Sequence, residues 1–543
     1  MKENILQKVE RESDEVRKVV GEYLKLGEKF ENPPRIELVL KTSGINEDVD
    51  ARDIAVSTAY QCYSPGVSKI TQRRDEKSES TADSTLNAGH LTTRMHDYYT
   101  WQLIGVTRAM VHDVLHSSPF YNSSQQSQRY VEAKQGNYLV PSELNPEQKR
   151  FYIEAADFSN KAYFEMLGRL RPEVSRRVHE MYPGSGWQSP KTTERLESKI
   201  QKLSQEVARY VLPVAQHTNL DYTLSEIQLI RLFLASKNYN FSDEARFVIG
   251  SMINEVAKVN PTIWKELRTP IAASVKPVYN EESILNVNRE VDSLLDLLHI
   301  NSFLFKPSEY VGLQLVYSAT GVRGISHRDR ESVLGKLLDP KENLYLADVY
   351  AAGMFDPLTS SLNEATFTFV TRISHTGDSQ RQRQRMTRGA TPPLEALYSG
   401  RPDYLTPLVI RENVSLNNFY DEVVGREFQN VAEAIKMGIP KEYALLLLPN
   451  ALTIRLVETG TLFDWIVRWK ERLCYLAQEE IFFVSVDQVE QILKYLPEAK
   501  HTLLAKCGVR TRAGCGRCPE GDRWCGRPVF NWPINEYRKN RLI

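Results

Sequence analysis

The chain has 543 residues, with 69 Lys and Arg balanced by 69 Asp and Glu, so it is long enough for roughly two to four domains and carries no global charge that would draw it to nucleic acid. No uninterrupted apolar run approaches the roughly 20 residues that span a bilayer. The opening MKENILQKVERESDEVRKVV is charged throughout, unlike a secretory leader, and the expectation is a soluble cytoplasmic protein without membrane contact.

Residues 1–34 show helical periodicity and stop at Pro33-Pro34, which predicts a helical arm. Ile36 to Leu40 reads as a strand, and Asp50 to Ser64 as a helix closed by a Pro65-Gly66 turn. The run from Ser68 to Asn87 is polar without apolar periodicity, which predicts an exposed, mobile loop. From His96 to Ala109 an aromatic and β-branched run predicts a strand, with Thr107 as the N-cap of a following helix. Ser123 to Val131, SSQQSQRYV, then concentrates hydroxyl, carboxamide and guanidinium groups. Arg and Ser suit a phosphate and Gln a base edge, although a polar loop or solvated helix face has the same composition. Helices are predicted over Asn145 to Arg177 and Thr192 to Gln205, separated by Tyr182-Pro183-Gly184-Ser185-Gly186, and through 237–307 with Pro261, Pro270 and Pro277 as punctuation.

The second half repeats landmarks of the first. Glu309 to Val316 opens like a strand, Asn363 to Ser374 parallels the aromatic strand, and Glu442 to Pro449 parallels Glu206 to Pro213, an order that points to internal duplication. After Ser374 come Gln380, Arg381, Arg383, Gln384 and Arg385; a solvated basic face explains such a run, whereas RNA contact would want stacking aromatics, and none lies between Arg381 and Arg388. Cys62 and Cys474 stand alone, while Cys507, Cys515, Cys518 and Cys525 crowd the C-terminus with one C-x-x-C pair. Four such thiols suit a zinc ion or an iron–sulfur cluster in a structural clip, and the arginines around them also suit phosphate.

In their order these stretches resemble the flavin-dependent thymidylate synthases (the ThyX family), in which a His, an aromatic strand, a GVSRA-like turn and a helix lead into an S-x-R-Y segment that holds the phosphate of dUMP. The matching positions are His96, Tyr99-Thr100-Trp101, Gly105 to Ala109 and Ser127 to Tyr130. The family's flavin-gripping Arg-His-Arg triplet falls in the first half on His116-Ser117-Ser118, or on Ser117-Ser118-Pro119, and the Gln ahead of it on Asp113 or Val114. The second half keeps these features as Arg383-Gln384-Arg385 and Gln380. An AR-x-x-LP motif matches Ala208 to Pro213, and the two later nucleotide arginines fall on Asn219 and Ser236 in the first half but on Arg455 and Arg472 in the second, before Ala477-Gln478-Glu479-Glu480-Ile481.

The resemblance implies an α+β fold of two tandem domains forming a pseudo-dimer, with boundaries at 1–34 (arm), 35–260, 261–307 (connector), 308–500 and 501–543 (cysteine-rich tail). It implies one composite site in which each half supplies what the other has lost, leaving the mirror-image site dead. Ser127, Gln128, Arg129, Gln380, Arg455 and Arg472 would bind a dUMP-like nucleotide, with Arg472 also stabilising negative charge on the pyrimidine ring. His96, Arg383, Gln384 and Arg385 would hold FAD, with NADPH and methylenetetrahydrofolate as co-substrates, and two chains would pair as a dimer of pseudo-dimers. A catalytically silent nucleotide- or nucleic-acid-binding homologue, and a flavoenzyme methylating another uridine, are the alternatives.

Overall fold

The computed structural model describes residues 5–45, 48–73, 75–117, 121–183, 190–238, 241–268, 281–322 and 329–543. Ser118, Pro119, Gly184 to Gly186, Pro270 and Pro277, named above, lie outside the described residues.

Two four-stranded antiparallel sheets organise the chain. The first holds β1 (Arg35–Lys41), β2 (Tyr98–Thr107), β3 (Asn122–Gln125) and β4 (His217–Ser225) in the order β1-β2-β4-β3. The second holds β5 (Ser302–Leu304), β6 (Thr366–Ser374), β7 (Arg388–Ala390) and β8 (Thr453–Thr461) in the equivalent order β5-β6-β8-β7. Alternation explains the central strands: Tyr99, Trp101 and Leu103 of β2 and Phe367 and Phe369 of β6 are buried, while the residues between them face outward or are half-covered. The β6–β8 register runs unbroken from Thr366↔Thr461 to Ser374↔Thr453, whereas β2–β4 slips between Leu103 and Val106. There Gly105 adopts φ 74°, a conformation that favours glycine, and its N–H donates to Asn219 Oδ1 at 2.9 Å.

The halves meet through a reciprocal backbone pattern. Pro213 and Pro449 form an antiparallel bridge, around which Val214 N donates to Leu448 O (2.8 Å) and Asn450 N to Leu212 O (2.8 Å), while Ala215 N donates to Leu446 O (2.9 Å) and Ala451 N to Tyr210 O (2.8 Å). Every bond on one side has its counterpart on the other, as a local two-fold between the halves requires. The long helices Pro146–Met181 and Val414–Lys436 lie over this junction, and Tyr152, Tyr163, Leu170, Tyr420 and Val431 join the residues around Pro213 and Pro449 in one core.

Three predicted elements differ. Half of the supposed loop is the helix Glu76–Asn87, capped by Asp75, whose side chain accepts from Ser78 N. Its only fully covered apolar residue is Ala82; ion pairs anchor it instead, the buried Arg52 donating to Glu79 (2.9 Å) and Asp83 (2.7 Å). Glu309 to Val316 runs into the helix Val311–Tyr317, with Val311 and Leu315 buried one turn apart, and the edge strand lies earlier at β5. The cysteine-rich tail is no separate knuckle: Leu503, Val509, Val529 and Tyr537 share a core with Trp465, Trp469 and Phe482 of the second half.

Candidate active site

Where the halves meet, a cleft of about 470 Å³ is lined from the first half by Arg108, Gln125 to Tyr130 and Arg209, and from the second by Ser379, Gln380, Arg383, Gln384 and Arg472. Arg108 follows directly on β2, where Thr107 caps the helix Arg108–Ser117 by accepting from Met110 N at 3.0 Å. Arg472 ends the helix Leu462–Arg472, which starts from a capping box between Thr461 and Asp464. The SSQQSQRYV stretch supplies β3 and then turns back on itself, Tyr130 N and Val131 N both donating to Ser127 O.

The lining carries five arginines and no carboxylate. Arg129 is already neutralised, donating to Glu206 and, at 2.7 Å, to Leu476 O. The other buried guanidiniums meet neutral acceptors: Arg108 donates to Ser379 Oγ (2.8 Å), Arg209 to Gln478 Oε1 (2.7 Å) and Arg472 to Gln380 O (3.0 Å). Burial, reinforced by Arg209 beside it, brings Arg108 down to about 9; burial with Arg468, Arg129 and Arg383 nearby brings Arg472 down to about 9; burial against partial compensation from Glu206 brings Arg209 to about 10. Nε of Arg108, Nε of Arg472 and the amide nitrogens of Gln125 and Gln128 are buried without a hydrogen-bond partner among the described residues. Crowded cations with spare donors around one cleft suit an anion rich in acceptors.

Of the residues singled out from sequence, the structure brings Ser127, Gln128, Arg129, Gln380, Arg383, Gln384 and Arg472 onto this one cleft. Three others lie elsewhere. His96 precedes β2 at the end opposite Arg108, so the length of the strand, roughly 30 Å at about 3.3 Å per residue, separates it from the cleft. Arg455 on β8 pairs with Asp292 (2.5 Å) and Asp403 (2.6 Å). Arg385 fastens the halves together, donating to Tyr121 O (2.6 Å) and Asn122 Oδ1 (2.8 Å) with its guanidinium 4.5 Å from the Tyr121 ring centre. Arg381, in the same run, is held by Asp378 (2.6 Å) and Glu458 (2.9 Å). Arg108 and Arg209 are site residues that sequence reasoning missed, although both stood inside quoted motifs.

Among the cysteines, Cys515 is exposed with its thiol donating to Ala513 O, while Cys507, Cys518 and Cys525 turn toward a small void together with Cys474. Gly514 and Gly516, both at positive φ, flank Cys515 and carry it away on a surface turn. Among the described residues no group of three or more His, Cys, Asp or Glu is poised around an ion, so the predicted ligand set is not assembled.

A second cavity, of about 280 Å³, lies across the local two-fold and overlaps the position of a mate to the cleft at Asp113 and Leu445, without Ser236 in its lining. Glu244 accepts from Thr107 N at 2.7 Å as Glu480 accepts from Ser374 Oγ at 2.6 Å, which matches the two frames. On that alignment Asp113 replaces Gln380, Leu445 replaces Arg209 and Ser236 replaces Arg472. This cavity is lined by Asp113, Glu244, Glu395 and Glu442 against a single Arg246, with Phe30, Phe241 and Tyr443. Burial pushes Asp113 up to about 6, Glu442 to about 7 and Glu244 to about 8.

The family profile described as thymidylate synthase complementing protein (Thy1) matches residues 45–262 and 323–498. The chain belongs to this family, as a divergent member. A flavin-dependent thymidylate synthase of Clostridium tetani is 29% identical over 217 residues, 39% of this chain and 80% of that protein. One of Mycobacteroides abscessus is 26% identical over 242 residues, 43% of this chain and 89% of that protein. Among solved structures, a UMP/dUMP methylase, PolB, from Streptomyces cacaoi bound with 5-Br dUMP aligns at 18% identity and a TM-score of 0.31, covering 43% of this chain and 94% of that one. No helix among the described residues is long and apolar enough to cross a membrane.

Proposed function

We propose that this protein is a flavin-dependent thymidylate synthase-type enzyme that methylates C5 of dUMP in the cytoplasm at one composite cleft, using methylenetetrahydrofolate, reduced FAD and NADPH. The observation that carries the reading is the convergence of Ser127, Gln128 and Arg129 with Gln380, Arg383, Gln384 and Arg472 around surplus positive charge. When bound, the flavin supplies the reducing equivalents of the methylation. The protein's part is positional and electrostatic. Because Arg129 is paired with Glu206, the phosphate falls to Arg108 and Arg209 with Ser127, while Arg129 holds Leu476 O and so fixes the wall. Gln125 and Gln128 have spare amide donors for a pyrimidine carbonyl or for phosphate. Arg472, from the opposite wall, stabilises negative charge on the pyrimidine ring, and Arg383 with Gln384 holds the flavin. The orphaned donors and unneutralised arginines fit phosphate-bearing ligands such as dUMP and FAD. The fused halves supply the whole cleft, and two chains pair again as a dimer of pseudo-dimers.

One observation favours a nucleotide-binding homologue without catalysis: Arg385 is committed to Tyr121 and Asn122, so the flavin grip rests on Arg383 and Gln384. Purified protein separates the two. Flavin absorbance together with tritium release from C5-labelled dUMP supports the enzyme; dUMP binding without flavin or release supports the silent homologue, and tritium release from another uridine substrate alone reassigns the substrate.

A further inference from the structure

Four of the six cysteines, Cys474, Cys507, Cys518 and Cys525, line a single void of about 10 Å³, and they reach it from three separate segments. Cys474 follows the helix that ends at Arg472, Cys507 lies in the helix Lys506–Arg512, and Cys518 and Cys525 lie on the loop beyond. A void of this size has room for about one water-sized centre. Cys62 and Cys515 are the exposed cysteines, so the convergent thiols are those withdrawn from solvent.

Burial raises the thiols of Cys474, Cys507 and Cys525 above their ordinary range, with Lys506 opposing this only in part at Cys474, and Lys199 and Arg541 only in part at Cys525. The loop is seated on the first half, where Tyr182 Oη donates to Trp524 O. At Gly526, φ 82°, a Cβ would come within 2.7 Å of Met181 O, so glycine alone fits that approach.

We infer that Cys474, Cys507, Cys518 and Cys525 ligate a thiophilic metal centre, and that Cys515 is not a ligand. The chemistry is tetrathiolate coordination: four S–H protons pass to solvent as four sulfur–metal bonds form, leaving a zinc ion or an iron–sulfur cluster with net negative charge beside Lys199, Lys506 and Arg541. The four thiols line one void without yet forming a ligand group around a common point, so loading must draw them inward onto the centre. It also pins the segment behind the cleft, because Arg472 precedes Cys474, Leu476 O accepts from Arg129 at 2.7 Å and Gln478 N donates to Gln380 Oε1 at 3.0 Å. The inference stands independently of the reaction proposed above.

The test is metal and acid-labile sulfide content of the full chain purified under reducing conditions, followed by titration of metal-stripped protein with Co²⁺ alone. Expected is one zinc per chain, or iron with matching sulfide, and a thiolate-to-cobalt charge-transfer band that saturates at one equivalent. Cys474→Ser and Cys518→Ser abolish that band while Cys515→Ser retains it, with circular dichroism of each variant confirming the fold. Should Cys474→Ser misfold, chelation of the wild type with loss of the same band serves in its place. No stoichiometric metal and no cobalt band, or a band lost in Cys515→Ser and kept in folded Cys474→Ser, overturns the assignment.

Discussion

Two cavities on opposite sides of the local two-fold have linings of opposite charge, although Glu244 and Glu442 of the second have counterparts in Glu480 and Glu206 near the first. One gathers Arg108, Arg129, Arg209, Arg383 and Arg472 without a carboxylate; the other gathers Asp113, Glu244, Glu395 and Glu442 around one Arg246. The framework is shared, down to the glutamates that accept from Thr107 and Ser374, so the backbone does not decide which cavity is basic. Side chains at a few equivalent positions do: Gln380 against Asp113, Arg209 against Leu445, Arg472 against Ser236. Each substitution removes a donor or adds a carboxylate where phosphate would otherwise sit.

The largest effect is expected from the basic cavity. Arg472→Ala or Arg108→Ala removes a charge-assisted contact of about 2–3 kcal/mol and weakens dUMP binding about 30- to 150-fold by calorimetry. Arg455→Ala sharpens the boundary of the site: it strands Asp292 and Asp403, lowers stability by about 2 kcal/mol in urea unfolding, and leaves dUMP affinity within about twofold. Arg385→Ala loosens the seam at Tyr121 and Asn122 by about 1–2 kcal/mol, while flavin retention falls further in Arg383→Ala.

The smallest effect belongs to the acidic cavity. Burial, helped by the neighbouring Asp243 and opposed by Arg246 and Lys29, raises Glu442 from 4.5 to about 7 in the folded state. Its protonated form therefore contributes stability that is full below about pH 4 and is lost as pH rises through 7. Glu442→Gln keeps an acceptor for Asp243 N and removes the titration, so the variant exceeds wild type at pH 8 and matches it at pH 4 in thermal melts.

Much of this was legible in the sequence. Alternating aromatics marked β2 and β6, and the paired Leu-Pro landmarks marked the junction that became Pro213 and Pro449. Motif order also brought most of the cleft together. The failures have physical causes. Helix Glu76–Asn87 is tied by Arg52 rather than by an apolar stripe, so periodicity could not report it. Arg455 was read from spacing along the chain, whereas its pairing with Asp292 and Asp403 depends on segments distant in sequence. Arg108 and Arg209 passed as motif punctuation because burial beside other cations, which sets them apart, is a tertiary property. Cys474 lies far from the other thiols along the chain and meets them only once the tail has docked.

The account rests on one anion site per chain, on the basic side of the two-fold. Calorimetric titration of dUMP into the full-length protein tests it most directly. The prediction is one equivalent bound per chain, abolished by combining Arg108→Ala with Arg472→Ala and unchanged by Glu442→Gln. Two equivalents per chain, or binding that survives the double arginine variant, would contradict it.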